Sequence, residues 1–260
     1  MRVPRRGEVS TGSPNPFVGR IGGAAYARHR PNYPPELAQW LAAQCAQRRH
    51  AVDLGCGTGQ MAGLLAQEFE RVTAFDSSAA QIAAARPAER VSFRTATAEA
   101  TGLADGTADL AVAAQAAHWF DPGRFHSEMR RIAAPRAVLA LITYGVPQLE
   151  GSAADRFRDF FWSDIHAWWP AARVHVERGY RDLDFPFEEF AMPRFEIERA
   201  WDRNDLTDYV STWSAVRAAT EAGKAGIVES FEQDLAALWP EASQRHPITW
   251  PIGGRVGRIR

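Results

Sequence analysis

The stretch Ala51-Val52-Asp53-Leu54-Gly55-Cys56-Gly57-Thr58-Gly59-Gln60 decides how this 260-residue chain is read. A short apolar run meets three glycines at alternate positions, and behind them Met61, Leu64, Leu65 and Phe69 recur at helical intervals. The order is strand, glycine turn, helix. Glycines at such a turn let the backbone approach a ligand closely, and the helix N-terminus beyond them favours a carboxylate or phosphate. A small anionic group is therefore expected at the carboxyl end of this strand, where doubly wound sheets open their crevice.

Upstream, Leu37, Trp40, Leu41 and Cys45 fall at helical spacing behind prolines. Downstream, Val72 to Phe75 reads as a strand ending at Asp76, with Ser77 capping a helix over 79–85. Val91 to Arg94, Asp109 to Ala114 and Ala137 to Thr143 read as further strands. Between the last two, Asp121 caps a helix that begins at Pro122, carries Phe125, Met129 and Ile132 on one face and stops at Pro135. Strands alternating with helices imply an α/β fold, a parallel sheet with helices on both faces.

Beyond residue 145 the texture changes, and six of the nine tryptophans lie between 162 and 239. Phe157, Phe160, Phe161, Ile165, Trp168 and Trp169 share one helical face, and Phe195 to Trp201 reads as a sixth strand. Two helices follow, one with Leu206, Tyr209, Val210, Trp213 and Val216, the other with Ile227, Val228, Phe231, Leu235 and Leu238. Ile248 to Ile259, broken by Pro251 and Gly253-Gly254, reads as an edge strand or half of a hairpin. The aromatic stripes around 157–169 and 205–216 are expected to cap the cleft.

Composition narrows the partners. Thirty basic residues against 31 acidic ones leave a net charge of −1, with no run of five like charges, so nucleic acid is a poor partner. Cys45 and Cys56 are too few for a disulfide framework or a cysteine-built zinc site, which fits a reducing cytoplasm. His126, His166, His175 and His246 show no metal-ligand spacing, so no metal is expected. The basic start runs into Gly, Ser, Pro and Asn rather than an apolar segment, and no 18-residue apolar stretch follows, so neither a secretory signal nor a membrane span is expected.

Asp76 stands 19 residues after Gly57. A carboxylate there can accept both hydroxyls of a ribose, so the ligand is an adenosine-bearing cofactor. Gly57-Thr58-Gly59-Gln60-Met61-Ala62 formally satisfies the dinucleotide pattern, which keeps an NAD(P)-dependent oxidoreductase open. Asp53 argues the other way. An acid two residues before the first glycine would repel a pyrophosphate but can engage an ammonium, and S-adenosylmethionine carries an ammonium beside its carboxylate.

Asp53-Leu54-Gly55-Cys56-Gly57-Thr58-Gly59 with Asp76 resembles motifs I and II of the class I S-adenosylmethionine-dependent methyltransferases. Thr97-Ala98-Glu99, the run Asp105 to Val112 and Gln115-Ala116-Ala117-His118-Trp119-Phe120-Asp121 resemble the type 11 methyltransferase group, especially its trans-aconitate-methyltransferase-like branch. Tyr26 to Pro34, Tyr180 to Phe187 and Tyr209 to Val216 are similar to the same branch, so the resemblance covers nearly residues 20–259.

The resemblance implies a doubly wound, mostly parallel seven-stranded sheet with helical cap insertions in the C-terminal half. Residues 1–20 would be a flexible tail and 21–260 a single domain, its cofactor half 21–145 and its substrate cap mainly 146–190 and 202–240. It further implies that Asp53, Gly55, Cys56, Gly57, Gly59 and Gln60 surround the methionine part, and that Asp76 takes the ribose with Ser77 and Gln81 beside it. Ala98 would meet the adenine, and Gln115, Ala116, His118 and Trp119 would floor the pocket beneath the sulfonium. Tyr26 and Arg30 would cover it, with Tyr33, Trp119 and Trp213 at the acceptor. Many relatives hold an aspartate where Thr97 stands, so either Thr97 or Glu99 takes the adenine amino group.

Methyl transfer from a sulfonium rests mainly on alignment in a dry site. His118 is either the base for a protic acceptor or a packing residue; a carboxylate acceptor needs no base. Gln115 to Phe120 is unlike the Asn/Asp-Pro-Pro-Tyr of amino-methylating nucleic-acid enzymes, which favours a small-molecule acceptor, carboxylates included. The expectation is a cytoplasmic enzyme, a monomer or weak homodimer, converting S-adenosylmethionine to S-adenosylhomocysteine, with a non-catalytic S-adenosylmethionine-binding module as the remaining alternative.

Overall fold

β1 (His50–Leu54) is buried at every position and sits between two parallel neighbours, β2 (Arg71–Asp76) and β4 (Ala108–Ala114). Strands covered on both faces carry continuous apolar runs rather than alternation, which is how this segment reads. β3 (Val91–Thr95) adds to β2 at the edge, and β5 (Ala133–Tyr144) adds to β4, both parallel. The computed structural model describes residues 31–259. The expected tail and the expected cofactor contacts of Tyr26 and Arg30 lie outside them.

The sheet runs β3-β2-β1-β4-β5-β9, so the strand order reverses between β1 and β4. β9 (His246–Arg258) is antiparallel to β5, and β8 (Phe195–Trp201) pairs antiparallel with β9. Seven long strands, mostly parallel, match the expected fold. Two two-residue strands, β6 (Gln148–Leu149) and β7 (Glu188–Glu189), also pair with β9 and bring the total to nine.

Successive strand residues feed opposite cores. Ala51, Val72, Leu110, Val138 and Ala140 face a cluster with Leu37 and Leu41 of α1 (Pro35–Ala43) and Met61 and Leu65 of α2 (Gln60–Glu68). Val52, Leu54, Phe75, Ala111 and Leu139 face the other, with Phe125, Met129 and Ile132 of α4 (Pro122–Ile132). Asp121 caps α4 as expected, its Oδ1 accepting the Arg124 amide at 2.9 Å. The short α3 (Ala79–Ala83) is capped by Ser78 rather than Ser77, because Ser78 is the residue whose Oγ reaches the Gln81 amide.

Three other expectations are corrected. The aromatic stripe from Phe157 is not one helix: α5 (Ala153–Asp159) passes into a π turn over Phe160–Asp164 and a 3-10 turn over His166–Trp168. The wider turn keeps Phe160, Phe161 and Ile165 inward, and all three are fully buried. A short α6 (Arg173–Glu177) follows. The Leu206-to-Val216 stripe is split into α7 (Arg203–Ser211) and α8 (Ser214–Glu221), the chain turning where the Thr212 hydroxyl donates back to the Tyr209 carbonyl at 2.6 Å. α9 (Gly226–Leu238) completes the helical layer.

β9 is an interior strand, not an edge. Its glycines are there because neighbours come close: a Cβ at Gly254 would stand 2.2 Å from the Leu141 carbonyl oxygen.

Candidate active site

The crevice opens at the carboxyl ends of β1 and β4, the point where the strand order reverses. Beyond Leu54 the backbone turns left-handed at Gly55 (φ 70°), Gly57 (φ 54°) and Gly59 (φ 90°). A Cβ on Gly55 would collide with the Ala116 methyl at 2.4 Å, whereas Gly57 has nothing within 4 Å of that position. Gly55 is thus glycine for packing, and Gly57 faces open space that a ligand can fill. A cavity of about 300 Å³ occupies that space.

Two acids flank the loop in opposite states. Asp76, at the end of β2, spends one oxygen on the Gly57 amide (2.9 Å) and the other on the Ser78 amide (2.8 Å), so it braces the glycine turn while still lining the cavity. Asp53 is 1% exposed, and neither of its oxygens has a hydrogen-bond partner. Burial raises its pKa to about 7; the Asp76 charge adds to the rise and the Ala62 amide offsets part of it.

The adenine-side wall is Ala96 to Glu99, after β3. This loop is latched to α4: Glu128 Oε1 accepts both the amide (2.8 Å) and the hydroxyl (2.6 Å) of Thr101, while Arg131 grips the same carboxylate and the Leu103 carbonyl. The Arg131 guanidinium, with Thr101, holds the Glu128 carboxyl down at about 2. Glu99 lines the cavity but already accepts the Asp121 amide at 3.0 Å, so only part of its carboxylate remains for a ligand.

The floor is the turn after β4, where Gln115 takes φ 60°, rare for a residue with a side chain. Its Nε2 donates to the Tyr144 carbonyl (3.0 Å) and its Oε1 accepts the Thr143 hydroxyl (3.0 Å). Trp119 and Phe120 continue the floor, and Tyr33 and Tyr144, with ring centroids 5.9 Å apart, stand at the opposite side.

The structure brings Tyr33, Asp53, Gly55, Cys56, Gly57 and Gln60 to this cavity, together with Asp76, Ser77, Gln81, Thr97, Ala98, Glu99, Gln115, Ala116 and Trp119. Three expected residues are not on its wall. Gly59 is the N-cap of α2, packed so that a Cβ would meet the Phe93 ring. Trp213 is 3% exposed and buried among Phe157, Phe160, Phe161 and Tyr209, so the aromatic stripes fill a core instead of capping the cleft. His118 turns from the cavity toward Tyr180, Nδ1 lying 2.8 Å from the phenol oxygen; burial, with the charges of Arg173 and His175, lowers its pKa to about 3. Thr58, Met61, Ser78, Ala96, Ala114, Phe120 and Tyr144 line the cavity and were missed. Tyr144 was within reach, since it stands at the carboxyl end of a strand where the crevice opens.

Among the described residues no group of three His, Cys, Asp or Glu side chains is placed to hold a metal ion, and no helix is long and apolar enough to cross a membrane.

A glycine-turned, acid-braced crevice at the switch point of a 3-2-1-4-5 sheet with an antiparallel strand beyond it defines a nucleotide-cofactor enzyme of the methyltransferase architecture. Residues 52–141 match the type 11 methyltransferase-domain family. A solved structure from Anaeromyxobacter dehalogenans, named as a type II methyltransferase, superposes with a TM-score of 0.84 at 42% identity, covering 88% of this chain and 98% of that one. A Dictyostelium discoideum protein named as a methyltransferase is 28% identical over 86% of this chain and 87% of its own. A Mycobacterium tuberculosis protein named as an uncharacterized methyltransferase is 37% identical over 45% of this chain and 48% of its own. The chain belongs to the class I S-adenosylmethionine-dependent methyltransferases.

Proposed function

We propose that this enzyme methylates a small molecule, a carboxylate in the first instance, and that the cavity beside Gly57 is its S-adenosylmethionine site. The carrying observation is Asp53: a fully buried carboxylate with two unpartnered oxygens behind a glycine turn suits a ligand that brings a cation. The other groups present fit the same cofactor. Asp76 keeps lone pairs for ribose hydroxyls after bracing Gly57 and Ser78, and the Thr97–Glu99 wall offers backbone and side-chain groups to a base. When bound, S-adenosylmethionine supplies an electrophilic methyl group on a sulfonium.

The chain's own residues then bind, orient and exclude water. Gly57 leaves room for the ligand, Asp53 and Asp76 fix its two ends, and Trp119, Phe120 and Tyr144 keep the floor dry. The low basicity of His118 supports the carboxylate reading, because an acceptor that is already nucleophilic needs no base. The same feature favours a trans-aconitate-like branch, in which the product is a methyl ester. Tyr33 and Trp119 are the side chains proposed to meet the acceptor; the near-neutral charge favours a partner other than nucleic acid.

Calorimetric titration with S-adenosylmethionine and S-adenosylhomocysteine, with NAD and NADP as controls, tests the cofactor assignment. Micromolar binding of the first pair alone is expected. A screen of small di- and tricarboxylic acids for methyl-ester formation then tests the acceptor. Cofactor binding with turnover only on amines or alcohols would overturn the carboxylate reading.

A further inference from the structure

Tyr180 is fully buried, and it takes φ 62° although it is not glycine. Side chains in that left-handed region cost free energy that surrounding contacts must offset. Its hydroxyl reaches two partners on two different elements. One is His118 Nδ1, 2.8 Å away in the turn after β4; the other is the Thr143 side chain near the end of β5. Thr143 in turn is 3.0 Å from Gln115 Oε1, and Gln115 Nε2 is 3.0 Å from the Tyr144 carbonyl.

The protons in this chain have only one consistent arrangement. A backbone carbonyl can only accept, so the Gln115 amide must present its NH₂ to Tyr144 and its oxygen to Thr143. An amide oxygen can only accept, so the Thr143 hydroxyl donates to Gln115 and leaves a lone pair toward Tyr180. The Tyr180 proton goes to that lone pair, and the phenol oxygen must then accept from His118 Nδ1–H. The imidazole is left with a bare Nε2.

The two ends of the relay, Gln115 and His118, lie in the same turn, the one that floors the cavity with Gln115, Ala116 and Trp119. We infer that Tyr180 is a positioning residue of this site: with Thr143 it clamps both ends of the Gln115–Trp119 turn and fixes His118 as the Nδ1–H tautomer. The inference rests on the cofactor reading of the cavity for its consequence on binding, and on the hydrogen-bond chain alone for the tautomer. Tyr180 arrives from the segment between α6 and β7, 62 residues after His118, so the C-terminal half sets the shape of a pocket built by the N-terminal half.

The test uses the full chain labelled with 15N. A long-range proton–nitrogen spectrum at neutral pH, with His118 assigned by its loss in His118→Gln, should show a protonated Nδ1 and a bare Nε2. Tyr180→Phe keeps the ring and removes one oxygen, and Thr143→Val removes the next hydroxyl in the chain. Each should release the proton toward Nε2 and weaken S-adenosylhomocysteine by about 3- to 10-fold, the loss of one net hydrogen bond. Thr143→Ser should restore both readouts. A wild-type His118 protonated on Nε2 would overturn the inference, as would a tautomer and an affinity untouched by both Tyr180→Phe and Thr143→Val. If the wild-type chain bound no S-adenosylhomocysteine, the cofactor reading would fail while the spectrum still decided the relay, and the spectrum of the wild type needs no variant to fold.

Discussion

At the scale of the residue, Asp53 and Asp76 stand beside one cavity and do opposite things. Asp76 is already hydrogen-bonded through both oxygens, so removing it loosens the Gly57 turn as well as the ribose contact. Asp76→Ala should weaken S-adenosylhomocysteine by about 10- to 100-fold in calorimetry while the cooperative unfolding transition persists. Asp53 predicts a pH effect of definite sign. Its folded-state pKa, about 7, is raised above the ordinary value of 3.8, so folding is unpenalised below pH 4 and loses stability as pH rises through 7. Asp53→Asn should therefore raise the denaturation midpoint at pH 8, leave it near wild type at pH 4 and flatten the profile between, while weakening the cofactor. Both acids were legible in the sequence because their meaning is local: one precedes the glycines, the other ends the next strand. The setting of His118 was not, because its partner Tyr180 is 62 positions away and nothing in a linear pattern pairs them.

At the scale of the element, the glycines separate into two kinds that look identical in sequence. Gly57→Ala meets open space and should cost only about 1 kcal/mol of stability, the left-handed backbone penalty, yet abolish measurable cofactor binding. Gly254→Ala puts a methyl against the Leu141 carbonyl oxygen inside the sheet, and should lower stability by about 1–3 kcal/mol or more without touching the cavity wall. Thermal melts and titrations on the two variants would give crossed results. The same packing explains why β9 was read as an edge: proline and paired glycines usually mark a strand with a free side, but here they accommodate β5 and β8 pressing from two directions. The first five strands and the capped α4 were legible because apolar period and cap chemistry agree there. The split between α7 and α8 was not, since Leu206, Tyr209, Val210, Trp213 and Val216 keep helical spacing across a break made by one threonine hydroxyl.

At the scale of the whole molecule, the C-terminal helices are welded to the sheet through aromatic packing. Phe160 stacks on Phe231 at 4.0 Å, and Trp213 bridges them to Tyr209 and Trp169. Trp213→Ala should thus cost about 3–5 kcal/mol of stability and leave the acceptor KM of the surviving folded enzyme near wild type, the reverse of what a pocket residue would show. A stripe of aromatics announces that a helix is covered, but whether a ligand or a neighbouring helix covers it depends on contacts between segments far apart in the chain. Asp53 also ties the molecule to its solvent. At pH 7 a buried acid of this kind holds about half a proton, and a cation settling beside it drives that proton out into the buffer. The heat of cofactor association should then scale with the ionisation enthalpy of the buffer chosen, strongly near pH 6 and hardly at all above pH 8.5.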